Sequence, residues 1–145
     1  MQVQEGEGWR LLVDPARYPF VVLIGGAGWA AELTAQEAQS LRQGFGQLLE
    51  QHAAIADQLM EEESIGLELD LGGLWMALEG DRRHWQVRFV LTPEGLQRGL
   101  EGGWDASASQ AVALALAQLG ELKDLEPAVG GLPRDEQRGS SMRQV

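Results

Sequence analysis

Arg82, Arg83, His84, Arg88 and Arg98 put five cationic or protonatable side chains into a window of 17 residues, with Trp85 inside it and Trp75 and Trp104 close by in the chain. Arginines interleaved with aromatics suit a surface that stacks on bases while neutralising phosphates. Arg82, Arg83, Arg88 and Arg98 are therefore a candidate surface for an anionic ligand or an acidic partner, a strand of nucleic acid included. The same residues support a plainer reading. Trp85, Val87, Phe89 and Leu91 alternate with Gln86, Arg88 and Val90, which points Trp85 inward with Phe89. The arginines are then left to neutralise neighbouring acidic strands.

Glu68, Asp70 and Glu79 project from the non-core face of two adjacent strands. Such carboxylates could hold a hard cation through oxygen or act as an acid–base pair. A solvated acidic face, or ion pairing with Arg88, explains them more simply. His52 falls on the apolar stripe of a helix and reads as a buried, hydrogen-bonded histidine. No H-E-x-x-H spacing accompanies it. His84 lies beside a turn and is solvated. No residue is assigned to catalysis, to a cofactor or to a metal, and the chain is read as a non-enzyme.

Gly26, Gly28 and Ala31 match G-x-G-x-x-A after the apolar run Val21 to Ile24, as in dinucleotide-binding folds. In those folds the glycine turn opens directly into a helix. Here the helix start is at Thr34, several residues too late, and the bulky Trp29 would crowd a phosphate. The segment reads as a glycine-rich hairpin bend.

These residues are positioned by a hydrophobic period that changes along the chain. Alternating, Trp-bearing stretches run to about Leu33. Thr34 and Glu37 then form a capping box. It opens a helical segment, 35 to 60, with Leu41, Phe45, Leu48, His52, Ile55 and Leu59 on one stripe. Gly44 and Gly46 weaken it locally, or mark close packing. Alternation returns from Ile65 to Leu91, where Gly72-Gly73 and Gly80 to Arg83 mark turns of a three-stranded meander. One further short edge strand falls between Thr92 and Trp104. Ser107 is read as the cap of a second helix that buries Ala108, Ala111, Val112, Ala115, Leu116, Leu119 and Leu122. The expected fold is α+β, antiparallel sheets with two helices in β–α–β–α order. A single domain is expected over 1–123, with a flexible tail over 124–145.

The chain has 145 residues, a formal charge of −11 and no cysteine. Disulfides and thiolate chemistry are excluded. The negative field disfavours nucleic acid and anionic lipid and favours cationic or neutral partners. No apolar run approaches the roughly 20 residues that span a bilayer. Met1 to Gly8 is polar and acidic, unlike a signal peptide. A cytoplasmic protein with no membrane partner is expected.

One set of segments carries a likeness. It comprises Glu7 to Leu11, Tyr18 to Phe20 through Gly26, Trp29, Glu32 to Thr34, Gln51-His52 with Asp57 to Glu62, Leu78 to Gly80, and Arg98 to Trp104. Together they resemble a family of small cyanobacterial and plastid proteins over residues 7 to about 122. Members of that family resemble in fold the whirly-type single-stranded-DNA-binding transcription regulators. The resemblance implies a whirly-like sheet–helix repeat and, by analogy alone, a transcription-regulator-like role. The chain departs from those relatives in its acidic sheet, and their DNA-binding motif has no residue-by-residue match. The expectation is a non-catalytic binding or regulatory protein without cofactors. It is expected to form a homo-oligomer through the stripe on the first helix and the Ala/Leu-rich second helix. The alternatives are a protein-interaction or assembly factor that binds no nucleic acid, and an enzyme built on Glu68, Asp70 or Glu79.

Overall fold

The computed structural model describes residues 1–92 and 98–125. Among them eight strands form two antiparallel sheets of four, each followed by a helix. The first sheet runs in chain order through β1 (Gln2–Gly6), β2 (Trp9–Val13), β3 (Val22–Gly26) and β4 (Trp29–Leu33). Helix α1 (Ala35–Ala56) follows. The second sheet is β5 (Ile65–Leu71), β6 (Leu74–Gly80), β7 (Trp85–Leu91) and β8 (Leu100–Trp104), and α2 (Ala106–Ala117) completes the repeat. The α+β expectation and its order of elements hold.

Local chemistry explains most boundaries. Two-residue turns at Glu7-Gly8, Ala27-Gly28 and Gly72-Gly73 join strand pairs, each with a glycine at positive φ, the backbone state such tight turns demand. The glycine-rich segment is thus a hairpin that opens into a strand. The capping box forms as read: Thr34 Oγ1 accepts the Glu37 N–H at 3.1 Å, and the Glu37 carboxylate accepts the Thr34 N–H at 2.9 Å.

Four boundaries differ from the sequence reading. The polar, acidic segment Met1 to Gly8, given no strand of its own in that reading, contains β1, an edge strand held by backbone bonds rather than by burial. Helix α1 stops at Ala56, four residues short of Met60. The cap of α2 is Asp105, whose Oδ1 accepts the Ala108 N–H at 3.1 Å; Ser107 lies exposed inside the first turn. A short 3₁₀ turn, Leu122–Leu125, packs on α1, so regular structure passes the expected boundary at residue 123. The rest of the expected tail, 126–145, lies outside the described residues.

Helix α1 covers β5 and β6. Helix α2 covers β7 and β8, reaches across to β2 and β1, and touches α1. The apolar stripes expected to pair copies of the chain are used in this packing. Leu41, Phe45, Leu48 and His52 of α1 and Ala108, Val112, Ala115 and Leu116 of α2 are buried. Arg42 ties the helices together. Its Nη1 donates to the carbonyls of Leu116, Leu119 and Gly120 at 3.3, 2.9 and 3.2 Å, a cation on the carbonyls at and just beyond the end of α2.

The two sheets meet through tryptophans. Trp104 Nε1 donates to the Gly25 carbonyl at 2.9 Å, and Trp29 Nε1 donates to the Gly103 carbonyl at 3.1 Å. A Cβ at Gly26 would strike the Trp29 indole and sit 2.9 Å from the Gly103 oxygen; one at Gly102 would sit 2.7 Å from the Trp29 ring. Trp29, Phe45, Phe89 and Trp104 pack with ring centroids 5.3–5.8 Å apart at the centre of the core.

Ser109 closes the ladder where β8 leaves β7. Its buried Oγ accepts the Val87 N–H at 3.0 Å and donates to the Trp104 carbonyl at 2.9 Å. Ser109→Ala strands that buried donor and should cost about 1–3 kcal/mol in chemical denaturation. The two helix glycines should respond with opposite sign. Gly46 is exposed with open space around its Cβ position, so Gly46→Ala should stabilise by about 0.5–1 kcal/mol. A Cβ at Gly44 would collide with Met76 Sδ and lie 3.3 Å from Leu74 Cδ2, both in the core. Overpacking of about 1–3 kcal/mol then outweighs the helix gain, and Gly44→Ala should destabilise.

Candidate binding surface on the second sheet

The registers of the second sheet divide its residues cleanly. Leu67, Leu78, Val87 and Trp104 form one inward row, and Leu69, Met76, Phe89 and Gly102 the next. The alternate rows point away from the helices. One row is Glu68, Ala77, Arg88 and Gly103; the next is Asp70, Trp75, Val90 and Glu101; Glu79 and Gln86 pair beside them. This outer face is the candidate surface.

Its centre is aromatic and apolar. Trp75 is half-buried, Val90 is 36% exposed, and Ala77 is only 3% exposed despite facing outward. The Arg88 guanidinium lies over the Trp75 ring, 5.1 Å from its centroid. Trp75 Nε1 donates to Glu68 Oε1 at 3.3 Å. A hollow of about 270 Å³ opens beside this stack, with Ala77 and Gly103 in its lining and Glu79, Gln86, Arg88 and Asp105 around them. A larger, shallower depression of about 580 Å³ continues past Glu79 and Gln86 toward Ser64 and His84. The rim is acidic: Glu68, Asp70, Glu79 and Glu101 are exposed around one guanidinium.

The four arginines expected to share a surface occupy three places. Arg88 is on the outer face. Arg82 and Arg83 sit in the β6–β7 turn, where Arg83 approaches Glu61 at 3.9 Å. Arg98 is turned to the opening of α1: its Nη2 donates to both Glu37 oxygens at 2.8 Å, and its guanidinium lies 5.0 Å from the Phe20 ring. It therefore extends the capping box. Trp85 points inward, as its alternation indicates, and is 8% exposed. His52 is buried, with Nε2 donating to the Asp81 carbonyl at 3.0 Å in the tautomer that protonates Nε2. Glu68, Asp70 and Glu79 stand on the outer face as expected. Among the described residues no group of three His, Asp or Glu side chains is placed to hold a metal ion.

Sequence reading missed the Trp75–Arg88 stack as a unit. The cross-strand register that makes them diagonal neighbours is set by the β6–β7 turn, Asp81 to His84, rather than by any spacing of the two residues in sequence. It also missed the role of Asp81. Asp81 Oδ1 accepts the Arg83 and His84 N–H groups at 2.8 and 2.7 Å and shapes the β6–β7 turn.

The fold and this surface define a class: a small α+β protein made of two sheet–helix units with an open outer sheet face. A family model described as "Domain of unknown function (DUF1818)" matches residues 4–119, and the chain belongs to that family. It is similar to a crystal structure of a protein of unknown function from the DUF155 family from Prochlorococcus sp. NATL2A. The two are 36% identical with a TM-score of 0.76, over 81% of this chain and 97% of that one. That source agrees with the cyanobacterial part of the resemblance. No match was found among curated proteins. No helix among the described residues is long and apolar enough to cross a membrane.

The bonds from the His84 and Arg83 backbone hold the Asp81 carboxyl below its ordinary range. A depressed folded value stabilises above the unfolded value and loses that contribution as pH falls through the folded one. The stability difference between wild type and Asp81→Asn should therefore be constant from neutral pH to about pH 5 and shrink below about pH 4. Urea titrations of both proteins at each pH check this.

Proposed function

We propose that this chain is a non-catalytic binding protein that acts through the outer face of its second sheet, and that it engages protein rather than nucleic acid. The observation that carries the reading is the sign of that face: among the described residues four carboxylates surround the single guanidinium of Arg88. Phosphate neutralisation needs several cations on one surface. Arg98 is instead committed to Glu37, and Arg83 lies beside Glu61. Among the described residues Glu68 and Asp70 are exposed on the sheet face and Glu79 borders a hollow open to solvent, which favours docking over chemistry.

The repeat of four antiparallel strands and a helix, present twice, supports the whirly-like reading of the fold. A transcription-regulator role would rest on that likeness alone, and the face it would use has the wrong charge. Self-association, if present, needs surface other than the two helix stripes; Leu114 on α2, 59% exposed, is one residue available for it.

A mobility-shift titration with single-stranded DNA and RNA at low salt tests the reading. No shift is expected at tens of micromolar protein, a range in which non-specific phosphate binding of about 10⁻⁴–10⁻⁶ M begins to register. A salt-sensitive shift removed by Arg88→Gln would refute it.

A further inference from the structure

The outer face of the second sheet has the anatomy of a docking site, and its charge selects what it docks. Trp75 and Val90 are direct neighbours across β6 and β7 and form an apolar centre. Aromatic side chains at the centre of a patch, with charged groups at its rim, are the usual layout of a protein interface. The rim here is Glu68, Asp70, Glu79 and Glu101, with Asp105 at the edge of the hollow. Among the described residues none of these carboxylates lies within 4.0 Å of a Lys or Arg nitrogen. Arg88 lines the same hollow, but its guanidinium lies over the Trp75 ring, outside salt-bridge distance of these carboxylates, which outnumber it.

Three occupants can be compared on this charge. A second copy related by a two-fold axis would set the acidic rim against itself, and like charges in register oppose association. Nucleic acid meets the same repulsion. A cationic polypeptide gains from it. We infer that the outer face of the second sheet docks a basic protein segment, an Arg or Lys side chain entering the hollow between Glu79 and Asp105 while an apolar residue covers Trp75 and Val90. The hollow of about 270 Å³ accommodates such a side chain. The long alkyl stem of Arg or Lys suits the Ala77 lining, while its head reaches the carboxylates and the Gln86 amide. This inference rests on the binding-protein reading above and adds the chemistry of the partner.

The probe is a fluorescein-labelled, end-capped decapeptide of Gly, Leu and Arg, compared with versions carrying citrulline or Glu in place of Arg. Anisotropy is read at about 50 mM salt, where exposed charges are weakly screened. The Arg peptide is expected to bind at least about tenfold more tightly than the citrulline peptide, as loss of charged contacts of roughly 1.4 kcal/mol implies. Glu79→Gln with Asp105→Asn should weaken it by about fivefold or more without moving the melting temperature, since Asn caps a helix as well as Asp. The charge-matched control Glu50→Gln with Glu62→Gln, both on exposed surface elsewhere, should bind like wild type. Trp75→Ala should weaken all binding. Equal loss in the control pair, equal binding of citrulline and Arg peptides, tighter binding of the Glu peptide, or no binding at about 1 mM each overturns the inference. A nucleic-acid shift in the preceding experiment would instead defeat the underlying reading, so the two failures are distinguishable.

Discussion

Two indole N–H groups hold this fold together, and they can do so only because the sheets approach very closely. Trp104 Nε1 reaches the Gly25 carbonyl and Trp29 Nε1 reaches the Gly103 carbonyl, so each sheet donates to the backbone of the other. A buried indole without a partner, or a buried carbonyl without a donor, costs about 1–3 kcal/mol. The pair therefore penalises any separation of the sheets at both ends of the contact. Close approach in turn restricts side chains. At Gly26 and Gly102 a Cβ would occupy space already filled by the Trp29 ring. Of the two glycines that imitate a nucleotide-binding turn, Gly26 is thus small because an indole lies against it, and Gly28 because its hairpin turn needs positive φ. The aromatic cluster around Trp104 then joins β4, α1, β7 and β8 in one packed centre.

Polar groups finish what the aromatic centre begins. Strands that leave a sheet to become helices strand backbone donors and acceptors at the junction. Ser109 fills one such gap between β7 and α2. Glu37 serves the start of α1 and also receives Arg98, so the opening of the first helix is tied to the segment that precedes β8. Arg42 serves the end of α2 from the middle of α1. His52 acts similarly at a distance, reaching from α1 to the carbonyl of the β6–β7 turn that Asp81 shapes. Each helix is therefore secured by a side chain that belongs to a different unit of the repeat.

What could be read from the sequence follows from how local each signal is. The capping box, the Gly72-Gly73 hairpin and the alternation of Trp85 to Leu91 depend on residues within a few positions of one another, and all three are present. Strand β1 was illegible because its ladder holds it and its side chains are mostly exposed, leaving no alternation to detect. A signal existed nonetheless: Gly6-Glu7-Gly8-Trp9 and Gly26-Ala27-Gly28-Trp29 share one pattern, and both form hairpins with the tryptophan paired to the first glycine. Asp105 and Ser107 are equally good caps by type, and the end of β8 at Trp104 decides between them. The arginines were harder. Their closeness in sequence spans the β6–β7 turn, strand β7 and the residues just before β8, so proximity along the chain did not become proximity in space.

The outer face of the second sheet is where fold and ligand part. Inward rows such as Leu69, Met76 and Phe89 must match the helices above them, so packing constrains their identity. Most outward side chains are exposed, so packing leaves their positions open to any charge. Two proteins can therefore share the frame and present opposite fields from the same positions. In this chain those positions hold Glu68, Asp70, Glu79 and Glu101. A tryptophan among them, half-buried and capped by Arg88, retains apolar surface that water covers poorly. The combination suits a cationic partner, attracted by the field and covered by apolar contact, so the sign of this face bears on the partner more directly than kinship of fold does.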